Sequence, residues 1–206
     1  MTIRFLFFFI TFQILFSCKN ENSTVSKKDV SEIKIIENEL IKLIEKQLKV
    51  TMKGDEDDYD QWISHISEDY KHAIADSLGD SVKIENTDAL FRDAYKSASD
   101  GMKQLKKDGW KIKIKMVGIA DKIIKGDTLI YLVEDKLTAV ERSGLNKRSI
   151  TGYTLATSTN YGKKWFFYIP EVTFLEKVLK KEIGDSLTQS TLVFLRKRQL
   201  QGIKVR

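Results

Sequence analysis

His72 stands between Asp69 and Asp76, with Tyr70 alongside. Histidine and carboxylate side chains are the groups that a pocket can tune to give and take protons near neutral pH. His72 and Asp76, with Asp69 and Tyr70, are therefore the residues suited to general acid–base chemistry, and Tyr95 and Tyr153 are further hydrogen-bond donors. A histidine with an ordinary satisfied ring fits the same spacing. Other chemistries find less material. Asp55, Glu56, Asp57, Asp58 and Asp60 form an acidic knot. As a calcium loop, however, it puts Tyr59 at a ligand position, Asp60 where glycine is needed and Ile66 where a bidentate acid is needed. The knot reads instead as a helix start, where carboxylates suit the dipole. Zinc has no thiol beyond Cys18, and His65 and His72 are the only histidines. No Gly-x-Ser-x-Gly elbow and no Gly-x-x-x-x-Gly-Lys loop occurs. No metal and no cofactor is expected. Trp62, Trp110 and Trp165, with Phe166, Phe167 and Tyr168 and with Tyr95 and Tyr153, either line a ligand pocket or form plain aromatic core.

These residues must be positioned by a run of strands from Trp110 to Pro170. Trp110, Ile112, Ile114 and Met116 alternate with Lys111, Lys113 and Lys115, the period of a strand with one dry and one wet face. Apolar runs at Leu129–Val140, Arg148–Thr159 and Trp165–Ile169 follow, separated by Lys125-Gly126-Asp127, Ser143 to Lys147 and Asn160 to Lys164. Connections this short imply antiparallel neighbours, so the spacing predicts a meander of four strands. Upstream, Asp29 and Glu32 have capping spacing before Ile33, Ile36, Leu40, Leu43, Ile44 and Leu48, a helical stripe ended by Gly54. A short second helix carries Tyr59, Trp62, Ile63 and Ile66. Asp69 to Ile74 reads as a short strand with Tyr70, His72 and Ile74 on one side, and Asp76 to Val82 as a loop. Asn86 or Thr87 caps a third helix with Phe91, Ala94, Tyr95, Ala98, Met102 and Leu105 inward, closed by Asp108-Gly109. After the sheet, Thr173/Glu176 and Ser186/Gln189 begin two further helices, separated at Gly184. The class is α+β.

Arg4 is followed by an apolar run, Phe5 to Phe16, too short to span a bilayer and shaped like a secretory signal. It ends in Leu15-Phe16-Ser17-Cys18, which resembles the lipobox of bacterial lipoproteins. The resemblance implies that residues 1–17 are a signal peptide, that Cys18 is lipidated, and that the protein sits in the bacterial cell envelope, at the outer membrane. Each buried methylene contributes roughly 0.8 kcal/mol, so several acyl chains hold a protein firmly. Residues 18–28 are polar and read as a tether. Cys18 is the only cysteine, so an intrachain disulfide is excluded.

The order of elements over residues 29–170 resembles the NTF2-like superfamily, the cone-shaped α+β fold shared by nuclear transport factor 2, ketosteroid isomerase and SnoaL-type cyclases. Lys53-Gly54-Asp55, Ser67-Glu68-Asp69-Tyr70 and Asn160 to Trp165 carry the local likeness. Three helices packed on a curved antiparallel sheet are expected, with residues 171–206 as a helical extension. A cystatin-like helix-plus-meander is the other architecture of this kind. The resemblance implies a pocket, and acid–base chemistry at His72 and Asp76 of the isomerase or hydratase kind. Ile74, however, stands about where ketosteroid isomerase has its base. A non-enzymatic module binding a small apolar ligand or an envelope protein is therefore the leading expectation. An enzyme, or an assembly partner acting through the carboxy-terminal helices, is the alternative, and a homodimer fits either. The chain has 35 basic and 29 acidic residues. Its basic last quarter, Lys180 to Arg206, reads as solvated helix faces, so no nucleic-acid partner is expected.

Overall fold

The computed structural model describes residues 27–53, 55–77, 87–170 and 175–200, except for the side chains of 27–29, 56 and 197–200. The signal segment 1–17, Cys18, most of the tether, Gly54, Asn86 and Thr173 lie outside the described residues. The chain divides into a unit ending at Ile35 and a unit Ile36–Arg206. The sheet, and the helical residues from Ile36 onward that pack on it, belong to the second.

Four strands, β1 (Lys111–Lys125), β2 (Thr128–Val140), β3 (Lys147–Ser158) and β4 (Phe166–Tyr168), pair antiparallel in the order β1-β2-β3-β4. The meander is present, and the sheet is open rather than closed on itself. Gly126, at φ 56°, and Asp127 make a two-residue hairpin between Lys125 and Thr128. β1 runs nine residues past Met116 because two bulges, at Val117 and Ala120, reset its register on β2. Bulges of this kind bend the strand that carries them.

Alternation holds only along the open end of the sheet. At the other end Leu129, Ile130, Tyr131, Leu132 and Val133 of β2 are all buried. A strand covered on both faces loses its alternating pattern. On one face, Leu129, Tyr131, Val133, Ala156 and Trp165 pack with Leu40 and Ile44 of α1 (Lys27–Lys53). On the other, Ile130, Leu132, Leu155 and Tyr168 pack with Tyr70 of α3 (Glu68–Ser77) and with Leu175, Val178, Leu179, Phe194 and Leu195 of α5 (Leu175–Leu200). The carboxy-terminal helices therefore supply half of the buried residues on this face of the sheet. α5 is broken where Gly184 adopts φ 79° and ψ 164°, the expected boundary between its two helical halves.

A 3-10 turn at Glu56–Asp58 leads into α2 (Tyr59–Ile63). Tyr59, Phe91, Tyr95 and Val50 form a third cluster, with Trp62 against it. α4 (Thr87–Lys107) buries Thr87, Phe91, Tyr95 and Ser99, a narrower stripe than expected, with Ala94 and Ala98 left exposed. It closes at Gly109, φ 86°, where Trp110 N–H reaches Leu105 O at 2.9 Å and Gly109 N–H reaches Lys106 O at 3.1 Å. These are the two bonds of a Schellman cap.

The strand expected at Asp69–Ile74 is instead the helix α3. Ser67 accounts for the change. Its Oγ accepts the Tyr70 N–H at 3.2 Å, and its carbonyl accepts the Lys71 N–H at 3.0 Å. That is an N-cap, with Glu68 and Asp69 in the first turn where the dipole favours acids. Tyr70 and Ile74 satisfy a two-residue and a helical period equally, so six residues could not separate the two. His72 turns outward in the helix, away from Tyr70.

Candidate functional site

α3 brings Asp69, His72 and Asp76 to one side, where they meet Lys177 and Lys181 of α5 around a cleft of about 40 Å³. Lys181 Nζ lies 2.8 Å from Asp69 Oδ1. His72 and Asp76 are exposed. An exposed, ion-paired cleft of this size leaves water free access to both side chains. Tyr70 points the other way. It is buried, its ring stands edge-on to Tyr168 with centroids 5.1 Å apart, and its hydroxyl accepts the Ile169 N–H at 3.2 Å.

The aromatic candidates occupy the core clusters. Trp62 and Tyr95 pack together at 5.3 Å, and the Tyr95 hydroxyl donates to Asp55 O at 3.2 Å. Trp165 stands edge-on to Tyr131 on the α1 side of the sheet, its carbonyl 3.1 Å from His65 Nδ1. Tyr153 packs against the α5-side cluster, and half-buried Trp110 lies at the α4 cap. These five residues therefore do not meet around one pocket.

Of the residues that do converge, the sequence singles out Tyr168 as a pocket aromatic, with Asp69 and Phe166 on the same hollow, but neither Ser67 nor Glu182. Glu182, near the end of the first half of α5, receives a hydrogen bond on each carboxylate oxygen. Ser67 Oγ donates to Oε1 and the Tyr168 hydroxyl donates to Oε2. Thr157 Oγ1 in turn donates to the Tyr168 hydroxyl at 3.3 Å. Burial raises the Glu182 carboxyl above the ordinary glutamate range, while the bonds from Ser67 and Tyr168 oppose the shift. Burial, and then the neighbouring Glu182 charge, push the Tyr168 phenol upward too. A signal for Glu182 was present in the sequence. Leu175, Val178, Leu179 and Glu182 share helical spacing, so an acid sits on an apolar stripe.

Glu182 borders an open hollow of about 730 Å³. Asp60, Ile63, Ser64, Ile66 and Ser67 come from α2 and the turn after it, Glu68, Asp69 and Lys71 from α3, and Lys164 and Phe166 from the approach to β4. The Phe167 N–H bonds His65 O at 2.8 Å, which holds that turn against the free edge of β4. Lys71 is engaged by Glu68 at 2.7 Å and Asp88 at 3.7 Å, and Lys164 lies over the Phe166 ring at 4.8 Å. Four acids and two lysines line it, and three of the acids have cationic partners: Glu68 with Lys71, Asp69 with Lys181, and Asp60 with Arg92 at 3.9 Å. The lining sets these carboxylate acceptors beside the apolar side chains of Ile63, Ile66 and Phe166. Among the described residues no group of three or more His, Cys, Asp or Glu is placed to hold a metal ion.

Fold and hollow define an α+β protein with an open four-stranded meander buried on both faces at one end. Comparison with protein-family models, curated proteins and solved structures returns no match. Among the described residues no helix is long and apolar enough to cross a membrane.

Proposed function

We propose that the chain is a lipid-anchored protein of the bacterial cell envelope whose domain binds a small ligand in the hollow beside Glu182. The anchor rests on Cys18 and the apolar run before it, and the helix-then-meander order supports an NTF2-like cone. The observation that carries the binding role is the convergence of Ser67, Glu182 and Tyr168 at the edge of a 730 Å³ hollow. Volumes of this order are those of small-molecule sites. The acid excess selects a ligand rich in hydrogen-bond donors, such as a small amine. A thermal-shift panel of amines, polyols and apolar compounds tests it. A ligand present at about 100 times its dissociation constant adds about 2.7 kcal/mol. The shift should come from an amine and vanish in Asp60→Asn combined with Glu68→Gln. A panel without any stabiliser, or a shift indifferent to both substitutions, overturns the binding role. Separately, Cys18→Ala should release the protein from membranes; retention overturns the anchor.

A second reading, acid–base catalysis, is favoured by one observation: the raised proton affinity of Glu182 beside the hollow. It moves that role from His72 and Asp76 to Glu182. Turnover of a bound ligand that disappears in Glu182→Gln, with binding kept, would select it over simple binding.

A further inference from the structure

The outer half of the sheet extends past the helices that bury its other end. There Lys115 pairs Lys136, which pairs Thr151; Lys113 pairs Thr138, which pairs Ser149; and Lys111 pairs Val140, which pairs Lys147. Directly paired residues share a face. The Thr138 and Ser149 hydroxyls, 3.1 Å apart, show this side by side. Lys111, Lys113, Lys115, Lys136 and Lys147 therefore stand together on one face, and all are exposed. The remaining positions of that face are Val140, Thr138, Ser149 and Thr151, and the first acid, Glu134, lies one pair further in. Among the described residues none of these lysines has an ion pair, a state they share with several other surface lysines but here hold side by side.

Like charges placed directly opposite on a sheet are destabilising. Lys115 and Lys136 carry that cost, and Glu134 at the inner border is the one acid on a face of five lysines, so the face lacks full counter-charge. We propose that this lysine face docks on a bilayer surface rich in anionic lipid headgroups. Successive lysines on β1 lie about 7 Å apart, and neighbouring strands about 4.8 Å, so the charges form a closely spaced array. Such an array of point charges suits diffuse attraction to a headgroup plane, worth about 1 kcal/mol per lysine near the surface. The face has no aromatic side chain to stack a base and no arginine fork for a phosphate, the features a nucleic-acid surface uses. The loop at the end of the sheet adds Leu145, 88% exposed, as an apolar tip beside Arg142. The docking does not rest on Cys18; with the anchor present, it would set how the domain lies on the membrane.

Partition of the full chain onto phosphatidylcholine vesicles, with and without phosphatidylglycerol, tests this. The apolar amino-terminal run contributes equally to both, so the readout is the preference for the anionic vesicles. That preference should fall steeply with added salt, as exposed charges are screened. It should drop on the order of 100-fold in Lys113→Ser/Lys115→Ser/Lys136→Ser, and survive in the corresponding triple arginine variant. Removing three lysines elsewhere, Lys49→Ser/Lys53→Ser/Lys180→Ser, should leave it nearly unchanged and controls for net charge. Circular dichroism confirms that each variant is folded. Equal losses in both serine variants, no preference in the wild type, or tighter lysine-dependent binding to duplex DNA than to vesicles would each overturn the proposal. Cys18→Ala alters retention regardless of salt or headgroup, so failure of the anchor is separately visible.

Discussion

Ser67 donates its hydroxyl to Glu182 across 115 residues of chain while accepting the Tyr70 N–H that begins α3. One hydroxyl thus caps a helix and ties it to α5. Ser67→Ala removes the cap, worth about 1 kcal/mol, and leaves a buried carboxylate oxygen without its donor, at about 1–3 kcal/mol. Urea denaturation should show a loss of about 2–4 kcal/mol. A loss under half a kilocalorie would mean that water replaces the hydroxyl on both counts.

Glu182 gives a pH dependence with a definite sign. Its folded carboxyl holds a proton more tightly than the ordinary glutamate does, chiefly through burial. Folding is then favoured by acid. This contribution is complete below the ordinary glutamate range and is lost as pH rises through the raised folded value. The melting temperature of the wild type relative to Glu182→Gln should therefore rise as pH is lowered from neutral toward that range. A difference flat in pH, or of opposite slope, contradicts the assignment.

Burial on both faces of β2 predicts that each side of the sheet is worth the same kind of energy. Leu40 from α1 and Leu179 from α5 are both fully buried, on opposite faces. Alanine at either should cost about 2–5 kcal/mol, and the two losses should add within about 0.5 kcal/mol, since the sites share no partner. A neutral Leu179→Ala would show that α5 is an appendage rather than core. The same packing means that truncation before α5 exposes the α5-side cluster and should unfold the domain, not merely alter its assembly.

Asp135 lies over Gly152 on the neighbouring strand, and a methyl group at Gly152 would meet its carboxylate oxygens at 2.9 Å. Burial also holds the Asp135 carboxyl above the ordinary aspartate range. Gly152→Ala should cost about 1–3 kcal/mol through overpacking. The penalty should persist in an Asp135→Asn background, which keeps the volume, and largely vanish with Asp135→Ala. A penalty that disappears with asparagine would make the conflict one of charge instead of space.

Much of the frame was legible from local pattern. The lysine alternation at Lys111–Met116, the Gly126 hairpin, the Gly109 cap and the break at Gly184 all depend on neighbours within a few residues, and all are present. Asp69–Ile74 failed because Tyr70 and Ile74 fit two periods over so short a span, and the deciding Ser67 cap was not read as one. The expected placement of His72 on one side with Tyr70 and Ile74 followed from the same strand period, and the helix overturns it.

Residue types, turn chemistry and charge along the chain were enough to specify four antiparallel strands and the α+β class, because hairpin register is set by short loops and side-chain period. Which strand would be covered twice, which tyrosine would meet Glu182, and which lysines would share a face depended on contacts between segments far apart in the chain. Ser67, Tyr168 and Glu182 have no sequence pattern in common. Their convergence arises when α5 folds back over the sheet, and the energy that brings it there is the burial of Leu175, Val178 and Leu179 rather than any property of the polar groups it carries.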